Sequence, residues 1–216
     1  MSDDHKLKQD VLAELAWEPS ISADHIGVTA KAGVVTLTGH VENYWQKRAA
    51  ERAASRVQGV KALAEELEVR LPFSIKRSDE EIASAAISGL SWNVSVPRDA
   101  AKVKVEKGFV TLTGQVDWRY QMDAAAHAVR SLSGVTGVAN QMTVKPYPST
   151  SNIRENIRHA LHRSWFFDDD NVEVSVDGGK VHLTGNVDSW YDRHAAANTA
   201  WAAPGTTSVV NDIHVT

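Results

Sequence analysis

The chain of 216 residues is 43% hydrophobic and 23% charged, the balance of an ordinary globular protein, and its net charge of −4 excludes a general polyanion binder such as a nonspecific nucleic-acid protein. It holds no cysteine, so disulfides and thiolate metal sites are excluded, and no run approaches the roughly 20 apolar residues of a membrane-spanning helix. Met-Ser-Asp-Asp-His-Lys-Leu-Lys at the N-terminus has no apolar stretch of the kind a secretory leader needs, and the expected location is the cytoplasm.

Residues 3–17 open on Asp3 and Asp4 and place Leu7, Val11 and Leu15 at i, i+4 and i+8, one face of a helix closed by Trp17. Pro19 and Ser20 break it. Ile26-Gly-Val28-Thr-Ala30 then alternates as a strand, and a short turn at Ala32-Gly33 leads into Val35, Leu37 and Val41 on one face, with Thr36 and Thr38 on the other. The two strands form a hairpin in which Gly33 supplies the positive φ. Residues 44–57, rich in Ala, Arg and Glu, make a second helix that stops before Gly59. Leu63, Leu67 and Val69, with Glu66 and Glu68 between them, read as a third strand. The unit is αββαβ.

This unit occurs three times. Gly33-Val-Val-Thr-Leu-Thr-Gly39 returns as Gly108-Phe-Val-Thr-Leu-Thr-Gly114 and Gly179-Lys-Val-His-Leu-Thr-Gly185, and residues 7–69, 82–144 and 153–215 align without a gap at offsets of 75 and 146. The second copy adds a capping box, Ser78-Asp-Glu-Glu81, ahead of its first helix. The third has Arg163 where Trp17 and Trp92 stand, its own tryptophan being displaced to Trp165. Three domains follow, at 1–73, 74–148 and 149–216. They carry 9 basic against 11 acidic side chains, 9 against 7, and 5 against 9, so the middle one alone leans basic. A module of this size buries only about 60% of its unfolded surface. The joints Leu71-Pro-Phe-Ser-Ile-Lys-Arg77 and Pro146-Tyr-Pro-Ser-Thr150, with their prolines and apolar residues, are therefore expected to pack.

The Gly…Val-x-Leu-x-Gly-x-Val block, the Ala-Ala helix that follows and a closing strand resemble the BON domain. That strand stands here as Gly137-Val-Ala-Asn-Gln-Met-Thr-Val144 and Ser208-Val-Val-Asn-Asp-Ile-His-Val215. The first copy has Glu65 where the others have Asn140 and Asn211. The resemblance covers nearly the whole chain and implies an α+β fold, each module a three-stranded mixed sheet with two helices on one face. The expected strand order is 1-2-3, with strands 2 and 3 parallel across the second helix. It also implies a role outside catalysis: family members are linked to osmotic stress, outer-membrane integrity or phospholipid binding, and one cytoplasmic member with a LysM domain binds potassium.

Candidate functional residues come from the repeats. Tyr44-Trp45, Trp118 with Tyr120, and Trp190-Tyr191 open the second helix of each copy and would form a small aromatic patch. Neighbouring residues on a helix point about 100° apart, so one ring of each pair is expected inside and the other outside. The patch has two readings, packing within or between modules, and a surface for a protein partner or a membrane. Gly39, Gly114 and Gly185, inside strands, read as fold residues: either helix 2 passes close above, where Ala49-Ala50, Ala124-Ala125 and Ala195-Ala196 are small, or a bulge bends the strand. A ligand approaching bare backbone is the competing reading.

The aspartates of Trp165-Phe-Phe-Asp-Asp-Asp-Asn171 lack the glycine and alternating spacing of a calcium loop. His159 and His162 supply two ligands where a metal site needs more. No nucleophile elbow or phosphate-binding glycine loop occurs, so no catalytic residue, metal or cofactor is expected. Thr29, Thr36, Thr38, Glu66 and Glu68, with Lys102, Lys104, Thr111, Thr113 and Thr143, make the outer sheet faces polar, and an uncovered edge suits a homo-oligomer. The leading expectation is a non-enzymatic, stress-associated binding or scaffold protein working through multivalency. A phospholipid-surface protein and a monovalent-cation (potassium) binder using backbone carbonyls are the alternatives.

Overall fold

The computed structural model describes residues 3–146, 152–163 and 172–215. In the first repeat α1 (Asp3–Trp17), β1 (Ile26–Lys31), β2 (Val34–Val41), α2 (Tyr44–Ser55) and β3 (Ala62–Val69) follow in order. The second has α3 (Asp79–Trp92), β4 (Ala101–Glu106), β5 (Phe109–Val116), α4 (Arg119–Arg130), β6 (Gly137–Asn140) and β7 (Thr143–Val144). The third has α5 (Ile153–His162), β8 (Val172–Asp177), β9 (Lys180–Val187), α6 (Trp190–Ala202) and β10 (Ser208–Val215). The architecture is α+β in three repeated modules.

Each sheet has the expected order and sense. β2 lies between β1, antiparallel, and β3, parallel, with Leu37 opposite Val28 on one side and Glu65 on the other. β9 repeats this between β8 and β10. In the second repeat the last strand is interrupted at Gln141-Met142, although the Gln141 N–H still donates to the Leu112 carbonyl at 2.8 Å.

The same spacing builds the same core. Leu7, Val11 and Leu15 of α1 are buried with Val28, Val35, Leu37, Val41 and Leu67 of the sheet and with Ala50 and Ala54 of α2. Their counterparts 146 residues on, Ile153, Ile157, Leu161, Val174, Val181, Leu183, Val187, Ile213, Ala196 and Ala200, are all buried together. Alanine on the second helix lets its backbone lie close to the sheet at native packing density.

The hairpin turns use positive φ at both central positions, which matches the right-handed twist of the strands they join. Ala32 and Gly33 stand at φ 51° and 80°, Lys107 and Gly108 at 51° and 78°, and Gly178 and Gly179 at 52° and 90°. The first helix secures this turn. The Asp79 carboxylate accepts from the N–H groups of Lys107 and Gly108 at 2.8 Å each, and Asp4 accepts from Gly33 N–H at 3.4 Å. Ser78 and Glu81 form the reciprocal capping box, and these bonds from Ser78 hold the Glu81 carboxyl below its ordinary pKa.

Glu65 is explained by what faces it. In the third repeat Asn211 Nδ2 donates to the Arg193 carbonyl at 2.8 Å while its Oδ1 accepts from Ile213 N–H at 3.2 Å, tying the last strand to the second helix. Asn140 makes the same two bonds, to the Met122 carbonyl and from Met142 N–H. A carboxylate cannot donate. Glu65 therefore keeps only the bond from Leu67 N–H, and Lys47, at the helix position of Met122 and Arg193, supplies the donor, reaching the Leu67 carbonyl at 2.7 Å and Glu65 at 3.2 Å. Asn211→Ala, which removes both bonds and takes from the Ile213 N–H its side-chain acceptor, is expected to cost about 1–3 kcal/mol in urea unfolding. Glu65→Ala, which leaves Lys47 on Leu67, is expected to cost less in the same measurement.

The chain forms two compact units, one of residues up to Val116 with Tyr120–Thr143, the other of Asp117–Arg119 with residues from Val144 onward. Within the first unit the joint between repeats is not made as the linker composition suggests. Phe73 is fully turned to solvent in a short turn, Phe73–Ile75. The contacts come from α2 and α4, because their aromatic and cationic side chains reach across. The second joint segment from Tyr147 to Thr150 lies outside the described residues.

Candidate functional site

The aromatic candidates sit where helix capping puts them. Asn43, extended at φ −158°, accepts from Gln46 N–H at 2.9 Å and starts α2 at Tyr44; Ser189 accepts from Asp192 N–H at 3.1 Å and starts α6 at Trp190.

Tyr44 is buried and Trp45 half-buried. The Trp45 ring meets His127 of α4 edge-on, with centroids 5.7 Å apart, and the Arg52 guanidinium lies 5.2 Å from its centroid. In the first repeat, then, both rings are drawn into packing, and part of that packing is the joint with the second repeat. Arg130 of α4 closes this joint. Its Nε is buried and, among the described residues, has no hydrogen-bond partner. Burial, and then the charge of Arg48, pull its pKa below the ordinary value, while Tyr44, Asp123 and Glu51 act in the opposite sense.

The other two pairs are placed differently. Trp118 is half-buried and Tyr120 is 58% exposed. Trp190 is half-buried, edge-on to His194 at 5.5 Å with Arg193 4.8 Å from its centroid, and Tyr191 is 51% exposed. Within the second unit the Arg119 guanidinium lies 4.6 Å from the centroid of Trp201.

The three strand glycines stand at φ +109°, +138° and +129°. A Cβ on Gly39 would lie 2.0 Å from the His25 carbonyl oxygen, and one on Gly114 would lie 1.9 Å from that of Ala100. At Gly39 and Gly114, then, what lies against the bare backbone is the chain entering the first strand of the same hairpin and not helix 2. Proximity of the Ala-Ala pair serves a different contact, helix against sheet.

Two residues that sequence reading treated only as helix ends are the most exposed tryptophans among the described residues. Trp17 is 83% exposed and Trp92, at the same position of the next repeat, 84%. The signal was in the periodicity: each stands two residues past the last buried leucine, Leu15 or Leu90, about 200° round the helix from the core face. Beside Trp92, Ile87 and Val94 are also exposed, next to a groove of about 380 Å³ lined by Leu90, Val96, Pro97 and Arg98.

A larger cavity of about 690 Å³ opens at the start of α1. Of the charged side chains that line it, Asp4 accepts from Gly33 N–H and Lys6 pairs with Asp10 at 3.2 Å. Among the described residues no three His, Asp or Glu side chains converge as a metal would require, and no helix is long and apolar enough to cross a membrane. Trp165–Asn171, with its three aspartates, lies outside the described residues.

Three tandem αββαβ modules, each a mixed sheet whose central strand lies between an antiparallel and a parallel neighbour, define a class of small α+β repeat domains. The chain belongs to the BON-domain family, whose model matches residues 3–70, 78–146 and 149–216. It is 32% identical over 147 residues to osmotically-inducible protein Y of Escherichia coli, covering 66% of this chain and 73% of that protein. Among solved structures it aligns with CdsD, a structural protein of the type III secretion system of Chlamydia trachomatis, at 18% identity, 98% and 92% coverage and a TM-score of 0.27, a likeness too loose to bear on function.

Proposed function

We propose that this protein is a non-enzymatic, stress-associated binding or scaffold protein whose BON modules present repeated weak surfaces to a protein partner. The observation that carries the reading is the indole exposed at one position of two successive modules, Trp17 and Trp92. Two such anchors on one chain raise avidity without any single tight contact. Membership of the BON family and the likeness to osmotically-inducible protein Y support the association with osmotic stress and a role outside catalysis.

The test is genetic and quantitative. Protein abundance is expected to rise after an osmotic upshift, and a deletion strain to grow poorly at high osmolarity until the wild-type chain is restored. The double variant W17A/W92A is expected to fold within about 0.5 kcal/mol of wild type, since both rings are solvent-exposed, yet to fail in that rescue. Full rescue by the double variant would remove the tryptophans from the reading, and unchanged abundance with no growth defect would remove the stress role.

A membrane-surface reading draws on Ile87, Trp92 and Val94, which expose apolar surface on the one module with a basic balance. Co-sedimentation with phosphatidylglycerol vesicles at low salt, lost in Trp92→Ala, is its expected result. Absence of co-sedimentation with the wild-type chain would dismiss it.

A further inference from the structure

The two edges of the sheets are finished differently. On the last strand, side chains already take outward backbone groups. Glu65 and Lys47 hold the N–H and the carbonyl of Leu67, and Asn211 and Arg193 hold those of Ile213. The first strand of the second module, β4, has no such guard among the described residues. It pairs with β5 alone, and its two-residue turn closes on Glu106 and Phe109. Bonded pairs then alternate, with Lys104 opposite Thr111 and Lys102 opposite Thr113, so the N–H and carbonyl groups of Val103 and Val105 point away from β5.

Small residues open a furrow beside this free edge. Ala101 stands where the other repeats have Ile26 and Val172, and Ala86 of α3 stands where they have Val11 and Ile157. Val103 is accordingly only half-buried, whereas its counterparts Val28 and Val174 are 5% and 2% exposed. The groove of about 380 Å³ lies at this end of β4, lined by Ile87, Leu90, Val96 and Ala101. Charge selects what it takes. The side chains of Arg98, at the groove, and Lys102, on the outer face of β4, have no partner among the described residues, against one acid in the lining, Asp99. This is also the module with the basic balance.

We propose that β4 accepts an extended segment of a partner protein as an added strand, its aliphatic side chains seated in the groove and its acidic ones within reach of Lys102 and Arg98. A strand turns alternate residues to opposite faces, so a segment of aliphatic and acidic residues in turn meets both requirements. This names the kind of partner the second module takes. It rests on the reading of a protein partner given above, but it is tested without the tryptophans.

The probe is a fluorescein-labelled peptide that alternates aspartate with valine and leucine, titrated with the full chain and read by fluorescence anisotropy. Wild type is expected to bind it and, in amide exchange followed by NMR, to show slowed exchange at the Val103 and Val105 N–H groups. Ala101→Ile, which puts into the groove the side chain that the first repeat carries there, is expected to keep the fold and weaken binding about tenfold or more. Lys102→Glu is expected to weaken it at low salt. The same peptide with methylated backbone nitrogens keeps every side chain but cannot pair, and is expected not to bind. No binding by wild type up to about 1 mM peptide, equal binding of the methylated peptide, or unchanged affinity in Ala101→Ile would each overturn the added strand. Phosphatidylglycerol vesicles that bind where the peptide does not, and are lost in Ala101→Ile, would give the groove to lipid instead. Growth rescue by W17A/W92A is a separate readout: the peptide can bind whether or not that variant rescues, so the two readings fail independently.

Discussion

Gly114→Ala is expected to unfold the second module, or to lower its stability by about 3 kcal/mol or more. Two costs add. At φ +138° an L-residue is strained by roughly 1–3 kcal/mol, and the new methyl would lie 1.9 Å from the Ala100 carbonyl oxygen, backbone against backbone, with no flexible side chain to give way. A module of this length has roughly 4–10 kcal/mol to lose. Gly178→Ala is the control. Gly178 also has positive φ, +52°, but nothing lies within 4 Å of its Cβ direction, and Ala32 and Lys107 hold the same turn position at φ 51° in the other repeats. It is expected to cost about 1 kcal/mol. Chemical-denaturation midpoints compare the two variants directly. Equal, small shifts would show that the chain entering β4 can move aside, and the proposed reason for the strand glycine would be wrong.

Leu37→Ala is expected to cost about 2–5 kcal/mol, again a large part of one module's stability. Leu37 is wholly buried in the middle of the central strand, with strands paired on both sides, so the cavity cannot close by a shift of β2 alone. Thr29→Ala, on the exposed face of β1, is expected to stay within about 0.5 kcal/mol of wild type. Urea titration of the two variants decides it: a Leu37→Ala loss no larger than that of Thr29→Ala would contradict the placement of the core.

Much of this was legible before any coordinates. A two-residue period with threonine on alternate positions places Val35, Leu37 and Val41 on the core side of β2, and i, i+4, i+8 spacing does the same for Leu7, Val11 and Leu15. The ungapped register carries both assignments to the third repeat residue by residue. The departure at Glu65 was visible too, but its meaning was not, because the compensating Lys47 sits on another element 18 positions away and only the folded pair shows that one replaces a bond the other cannot make.

The aromatic candidates mark the boundary. Helix phasing says that adjacent rings diverge, yet it cannot say what either ring meets. Tyr44 and Trp45 are covered because α4, some 75 positions along the chain, brings His127 and Arg130 to them, whereas Tyr120 and Tyr191 remain largely in solvent. Likewise the linker's phenylalanine suggested a packed joint, while the joint was made by helices whose side chains simply reach further.

By itself the sequence determined the module, its triplication, the strand order and the identity of the core. Those properties follow from hydrophobic periods and turn residues that act within one segment and repeat with it. Tertiary structure alone decided why Gly39 and Gly114 are glycine, which rings are covered and that Trp17 and Trp92 are not, for these depend on which backbone or side chain from a distant segment fills the adjoining space.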